Sequence, residues 1–242
     1  MNTEHIDIGL ARYSDWAFTS SIIVLVAALL LLAVELAYSR GRKVEARELV
    51  SAGAAVTADS NRPGVVVDEP ARSLDERLGK AGLALVYVGI ALLFACIVLR
   101  GLATARAPWG NMYEFINLTS FCGLVAGAIV LRKPQYRALW VFVLVPVLIL
   151  LAVSGKWLYT NAAPVMPALQ SYWLPIHVSV VSLGSGVFLV AGVASILFLL
   201  KMSRFGEPGA QGALARIVAK LPDAQTLDRI AYRSTIFAFP VF

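Results

Sequence analysis

Apolar runs of about 20 residues recur along this chain between short polar connections, each long enough to cross a hydrocarbon core of about 30 Å as a helix. The runs cover roughly 16–38, 81–103, 112–131, 138–154 and 175–200, and another opens near Ile230. They lack the period-two alternation of a membrane β-barrel. A bilayer offers no water to backbone groups, so helices are expected and open strands are not. The pattern therefore predicts an all-α integral membrane protein with about five complete transmembrane helices plus the start of a sixth.

Composition agrees. Of the 242 residues, 59% are hydrophobic and 15% are charged, where a soluble domain carries about a quarter charged. The first run is not a cleavable signal peptide, because its apolar core is too long and Arg40, Arg42 and Lys43 follow it. The formal net charge of +6 would suit nucleic acid, but its placement argues against that partner. Segments 39–80, 132–137 and 201–233 are rich in Lys and Arg, whereas 101–111 holds only Arg106 and 155–174 only Lys156. Rich and poor connections alternate as the positive-inside rule requires. This places the N-terminus outside and the rich segments in the cytoplasm of a bacterial plasma (inner) membrane.

Three regions follow: 1–38 as tail and first helix, 39–80 as a largely disordered cytoplasmic linker, and 81–242 as a transmembrane domain. The linker has charges, Gly and Pro without a sustained apolar period, with short helical stretches expected at Glu45–Leu49 and Leu74–Lys80. An amphipathic stretch is expected at Leu214–Leu221. Cys96 and Cys122 lie inside spans and form no CxxC, which removes zinc ribbons and thioredoxin-like chemistry and leaves small packing residues.

Candidate chemistry sits at span ends. His5 is in a polar tail. His177 falls at the outer end of the fifth span, after Pro175, which suits a first helical turn. An ionisable group at that depth is a candidate site, or else an interfacial histidine bonded to a loop. Gly184 shares its helical face, so that a flat macrocycle could approach; equally, Ser182 and Gly186, spaced small-xxx-small, would allow close helix packing. The second constellation is Pro108–Phe115, PWGNMYEF. Trp109 and Tyr113 are aromatic-belt residues or walls of a site. Glu114 needs a partner or a water-lined cavity, unless the helix dipole suffices. Glu35, at the inner end of the first span, is expected to snorkel or to pair with a nearby arginine. Trp157, Tyr159, Tyr172 and Trp173 make the connection 155–174 rich in aromatics.

PWGNMYEF followed by SYWLPIHV (Ser171–Val178), together with AYRSTIFAFP (Ala231–Pro240), resembles the CcsA/ResC family of System II cytochrome c biogenesis, called CcsB in actinobacteria. The resemblance runs from about Ala81 to the end. It implies a haem-handling subunit that binds haem b in the membrane and presents it at the outer face. There, as a component of a cytochrome c haem lyase with a ResB/CcsB-like membrane partner, it serves thioether attachment to the CxxCH of apocytochrome c. The resemblance makes His177 an axial ligand of the haem iron; beside it Trp109, Tyr113, Glu114 and Trp173 are candidate walls of the haem site. The family's WGxxWxWD segment and further histidines follow the helix that begins near Ala231. The chain ends at Phe242 before them, so it is read as a truncated product or half of a split protein. Two alternatives stand beside this: a transporter subunit with Glu114 on a polar path, and a non-catalytic membrane scaffold. Bound haem separates both from the first reading.

Overall fold

A computed structural model describes residues 7–51, 74–162, 171–203, 206 and 212–242. Among them the chain is helical: α1 (Ile8–Ser51), α2 (Leu74–Ala103), α3 (Met112–Val130), a 3-10 turn at Pro134–Tyr136, α4 (Leu139–Trp157), α5 (Trp173–Met202), the short α6 (Ala213–Val218) and α7 (Ala224–Val241). Five helices, within Ile8–Ala37, Arg77–Ala103, Met112–Val130, Leu139–Trp157 and Trp173–Met202, are long and apolar enough to cross a membrane. This is a multi-pass membrane protein.

The expected spans are met to within a few residues for α3, α4 and α5. Helices α1 and α2 run past them into the segment read as a linker. The stretches expected to be helical there are so, whereas 52–73 lie outside the described residues. The last helix begins at Ala224, ahead of Ile230, and carries Asp228, Arg229 and Arg233 exposed. The amphipathic stretch at Leu214–Leu221 corresponds to α6, which ends at Val218.

Helices α1 and α2 form an antiparallel pair. Ser21 Oγ donates to Gly89 O at 3.0 Å and Asp7 N to Ala103 O at 3.1 Å. A side chain at Gly89 would meet Leu25, so this glycine lets the pair close. Phe18 of α1 lies over Gly155 of α4, and Trp140 of α4 lies over Gly127 of α3. Helices α3 and α5 cross at Gly123 and Gly186, and α7 packs along α5. Leu25, Leu32, Leu93, Leu124, Leu144 and Leu151 fill the interior. Ile23, Leu30, Phe94, Ile149, Ile196 and Leu199 face outward. An apolar girdle of this kind suits lipid, since tails solvate it as well as a core would.

Polar side chains gather at the two ends. At one end Arg137 donates to Glu35 at 2.7 Å, which is the arginine pairing expected for Glu35. There Lys201 donates to the carbonyls of Val218 and Leu221 at the end of α6, and Lys220 to those of Leu36 and Ala37. At the other end lie Asp15, Arg100, Glu114 and the start of α5.

Candidate functional site

The end that carries PWGNMYEF is built from a helix stop and a helix start. Helix α2 finishes in a Schellman arrangement: Ala105 N donates to Leu102 O and Arg106 N to Gly101 O. Ala105 takes φ 48°, in the left-handed region where a Cβ is strained. This turn reverses the chain and brings Arg106 back over the start of α3. Asn111 caps α3, with its Oδ1 accepting from Glu114 N at 2.9 Å. Glu114 returns the favour one residue earlier than a standard capping box, accepting from Gly110 N at 2.8 Å. Gly110 has a second use, since a Cβ there would strike the Arg106 guanidinium.

Glu114 is 3% exposed and sits between two arginines. Arg100 Nε donates to its Oε1 at 3.2 Å, and Arg106 Nη1 to its Oε2 at 3.1 Å. Arg100 also donates to Asp15 at 3.4 Å and to the Thr160 carbonyl, and its guanidinium lies 4.9 Å from the centre of the Tyr113 ring. Tyr159 donates to the other oxygen of Asp15 at 2.7 Å. Burial and that bond push the Tyr159 phenol above its ordinary range. Two guanidiniums and two carboxylates thus neutralise each other, with Arg100 and Glu114 buried and Asp15 at the edge, and such pairing is what lets buried charge be tolerated. Tyr113 is fully buried, edge-on to both Phe18 and Tyr159. One turn below, Ser154 donates to Asn117 Oδ1 at 3.1 Å, tying α4 to α3. The cluster clamps α1, α2, α3 and α4 together.

Glu114 therefore has the partner that its depth demands, but Arg100 was hidden from sequence reading. It lies within an apolar run and reads as that run's end.

The expected site residues divide. Tyr113 and Glu114 look into the bundle, and none of their hydrogen bonds, ion pairs or ring contacts reaches α5. Trp109 lies half-buried on an apolar groove of about 750 Å³ floored by Phe94, Ile97, Leu118 and Phe121. Its Nε1 is buried with no acceptor among the described residues. His177 and Trp173 are both exposed and lie four apart on α5, one above the other on a single face. Trp173 is 71% exposed and Tyr172, beside it, 80%. His177 makes no hydrogen bond or ion pair with any described residue. It falls in the second turn, because α5 begins at Trp173, ahead of Pro175. The glycines settle as packing: Gly186 lies against Gly123 and Cys122, Gly184 lies under Phe242, and Ser182 is fully buried. Cys96 and Cys122 are both free thiols in separate surroundings, Cys96 3.7 Å from Ser14 Oγ.

The chemistry of this donor set suits haem iron in one respect. An exposed imidazole with no partner among the described residues, beside an exposed aromatic ring, could hold the iron while the ring covered part of a macrocycle. Among the described residues there is no group of three or more His, Cys, Asp or Glu side chains able to hold a bare metal ion.

Residues 109–242 match the family model described as cytochrome C assembly protein. The chain is 28% identical over 177 residues to cytochrome c biogenesis protein CcsA of Guillardia theta, covering 64% of this chain and 58% of that protein. It is 28% identical over 139 residues to CcsA of Gloeobacter violaceus, with 56% and 41% covered. With CcsA of Rippkaea orientalis it is 32% identical over 135 residues, with 54% and 38% covered. The chain thus spans between 38% and 58% of the length of these relatives. The match begins at Trp109, inside the segment that builds the charge cluster, and runs through His177 to the last helix, so the chain belongs to the cytochrome c assembly protein family, of the CcsA/ResC type.

Proposed function

We propose that this chain is a haem-handling part of a cytochrome c maturation system, holding haem b through His177 at the outer face of a bacterial plasma membrane. The observation that carries the reading is the uncommitted, exposed imidazole of His177 above an exposed tryptophan, within the matched segment of a cytochrome c assembly family. Haem supplies the iron and the vinyl groups that become thioethers on the CxxCH of apocytochrome c. The residues of this chain do simpler work. His177 would offer a ring nitrogen to the iron, and Trp173 a ring to the macrocycle. Glu114, Arg100 and Arg106 act at one remove: they fix the 104–111 turn and so the place of Trp109, whose indole N–H is left to donate.

In this reading the Trp109–His177 end faces outward and the Glu35–Arg137 end faces the cytoplasm, as the distribution of Lys and Arg demands. Apocytochrome c and a ResB/CcsB-like membrane protein are the partners. The cluster around Glu114 is net neutral and commits Glu114 to two arginines, so it gives no support to a polar transport path.

The test is maturation in cells. Replacing the gene by one encoding His177→Gly should reduce haem-stained cytochrome c at least tenfold, as expected for loss of a metal ligand. Imidazole in the medium should restore part of it, and His5→Gly should have no effect. Full maturation with His177→Gly would leave the histidine as an interfacial anchor and the reading without its ligand.

A further inference from the structure

At the end of the bundle opposite His177, α3, the 3-10 turn, α5 and α7 enclose a groove of about 510 Å³. Ala126, Val130, Val187, Ile230 and Phe237 make it apolar within. Its rim carries Arg132, Lys133, Arg229 and Arg233, and no carboxylate of a described residue lines it. On α7 the lining recurs at Thr226, Arg229, Ile230, Arg233, Ser234 and Phe237, the spacing of one helical face. Asp228, the acidic residue beside Arg229, is off that stripe.

Positive charge at this end follows from topology alone, but topology does not require convergence. Here two cations from the α3–α4 turn and two from α7, far apart in sequence, meet across one cavity. None of the four side chains makes a hydrogen bond or ion pair with a described residue. Their neighbours at the same end are committed: Arg137 to Glu35, and Lys201 and Lys220 to backbone carbonyls. Four cations without a counter-ion among the described residues repel one another, and an anion between them relieves that repulsion. The lip beside them is hydrocarbon, with Ile129 and Phe237 exposed.

We infer that this groove binds an anionic phospholipid, its phosphodiester held among Arg132, Lys133, Arg229 and Arg233 and an acyl chain lying along Ile129, Val130 and Phe237. A soluble anion has no use for the apolar floor, and a zwitterionic headgroup brings a cation of its own into the cluster. The inference is independent of haem.

The test uses purified protein in detergent, titrated with phosphatidylglycerol, phosphatidylcholine or inorganic phosphate. Bound lipid is read by native mass spectrometry and stability by the thermal midpoint. Phosphatidylglycerol should bind and raise the midpoint, whereas the other two should not. Arg229→Gln with Arg233→Gln should weaken phosphatidylglycerol binding about thirtyfold, the order expected for two interfacial cations. Arg229→Lys with Arg233→Lys should keep most of it, and Lys156→Gln at the far end should change nothing. Should the glutamine variant not fold, Arg132→Gln with Lys133→Gln, on an exposed turn, carries the same expectation. Equal binding of phosphatidylcholine, equal stabilisation by phosphate, or undiminished phosphatidylglycerol binding by the glutamine variants would overturn the proposal.

Discussion

Glu114 accepts from Arg100, Arg106 and Gly110 N while almost fully enclosed. Removing its charge leaves two guanidiniums against Asp15 alone. Breaking a buried pair from one side costs about 3–5 kcal/mol, far more than an exposed pair is worth. Glu114→Gln should therefore lower the thermal midpoint of the detergent-solubilised protein sharply. Glu114→Leu with Arg106→Leu should lower it less, because the second change removes one of the stranded charges. Equal midpoints for Glu114→Gln and wild type would mean that water reaches the cluster. The need for a partner was legible in the sequence from the depth of Glu114, but its identity was not. Arg106 is eight residues away and comes within reach only because Ala105 turns the chain left-handed and Gly110 leaves room for the guanidinium. Glu35 is the same case on a longer scale: an arginine was expected, and Arg137, 102 residues on, is set opposite it by the packing of α4 on α1.

Helices were the most legible level, since an apolar run of membrane length has one regular solution in lipid. Their ends were less so: α1 and α2 continue into polar sequence, which an apolar pattern does not register. The role of the α5 glycines turned on tertiary contact. A Cβ at Gly186 would lie 2.5 Å from Gly123 N and 2.7 Å from Cys122 Cβ, whereas one at Gly192 meets nothing within 4 Å. Gly186→Ala should force α3 and α5 apart and cost about 1–3 kcal/mol, as overpacking does. Gly192→Ala, on the same helix, should be neutral or stabilise by about 0.5–1 kcal/mol through backbone entropy. Unfolding curves in one detergent decide the matter, and equal effects at the two sites would remove the close α3–α5 crossing from the account.

At the scale of the whole molecule, the bundle separates two chemistries. One end has aromatic residues, a charge cluster and His177; the other has cations, without partners among the described residues, around an apolar groove. Orientation is the first consequence. With Cys96 and Cys122 replaced by Ala, a cysteine at Trp157 should react with a membrane-impermeant maleimide on intact cells, and one at Gln135 only after permeabilisation. The reverse pattern would turn the molecule over and place His177 at the cytoplasmic face. The site itself was only partly legible. His177 and Trp173 were singled out and share an exposed face, but Tyr113 and Glu114 fall into the interior because the capped start of α3 turns them toward α1 and α2.

Ligation of haem by His177 is read in the absorption spectrum of the purified protein. Expressed with haem available, the wild-type protein should carry a Soret band, and His177→Gly should lose most of it. Imidazole added to the variant should restore the band. A variant that keeps the wild-type spectrum and haem content, with no response to imidazole, would contradict the account.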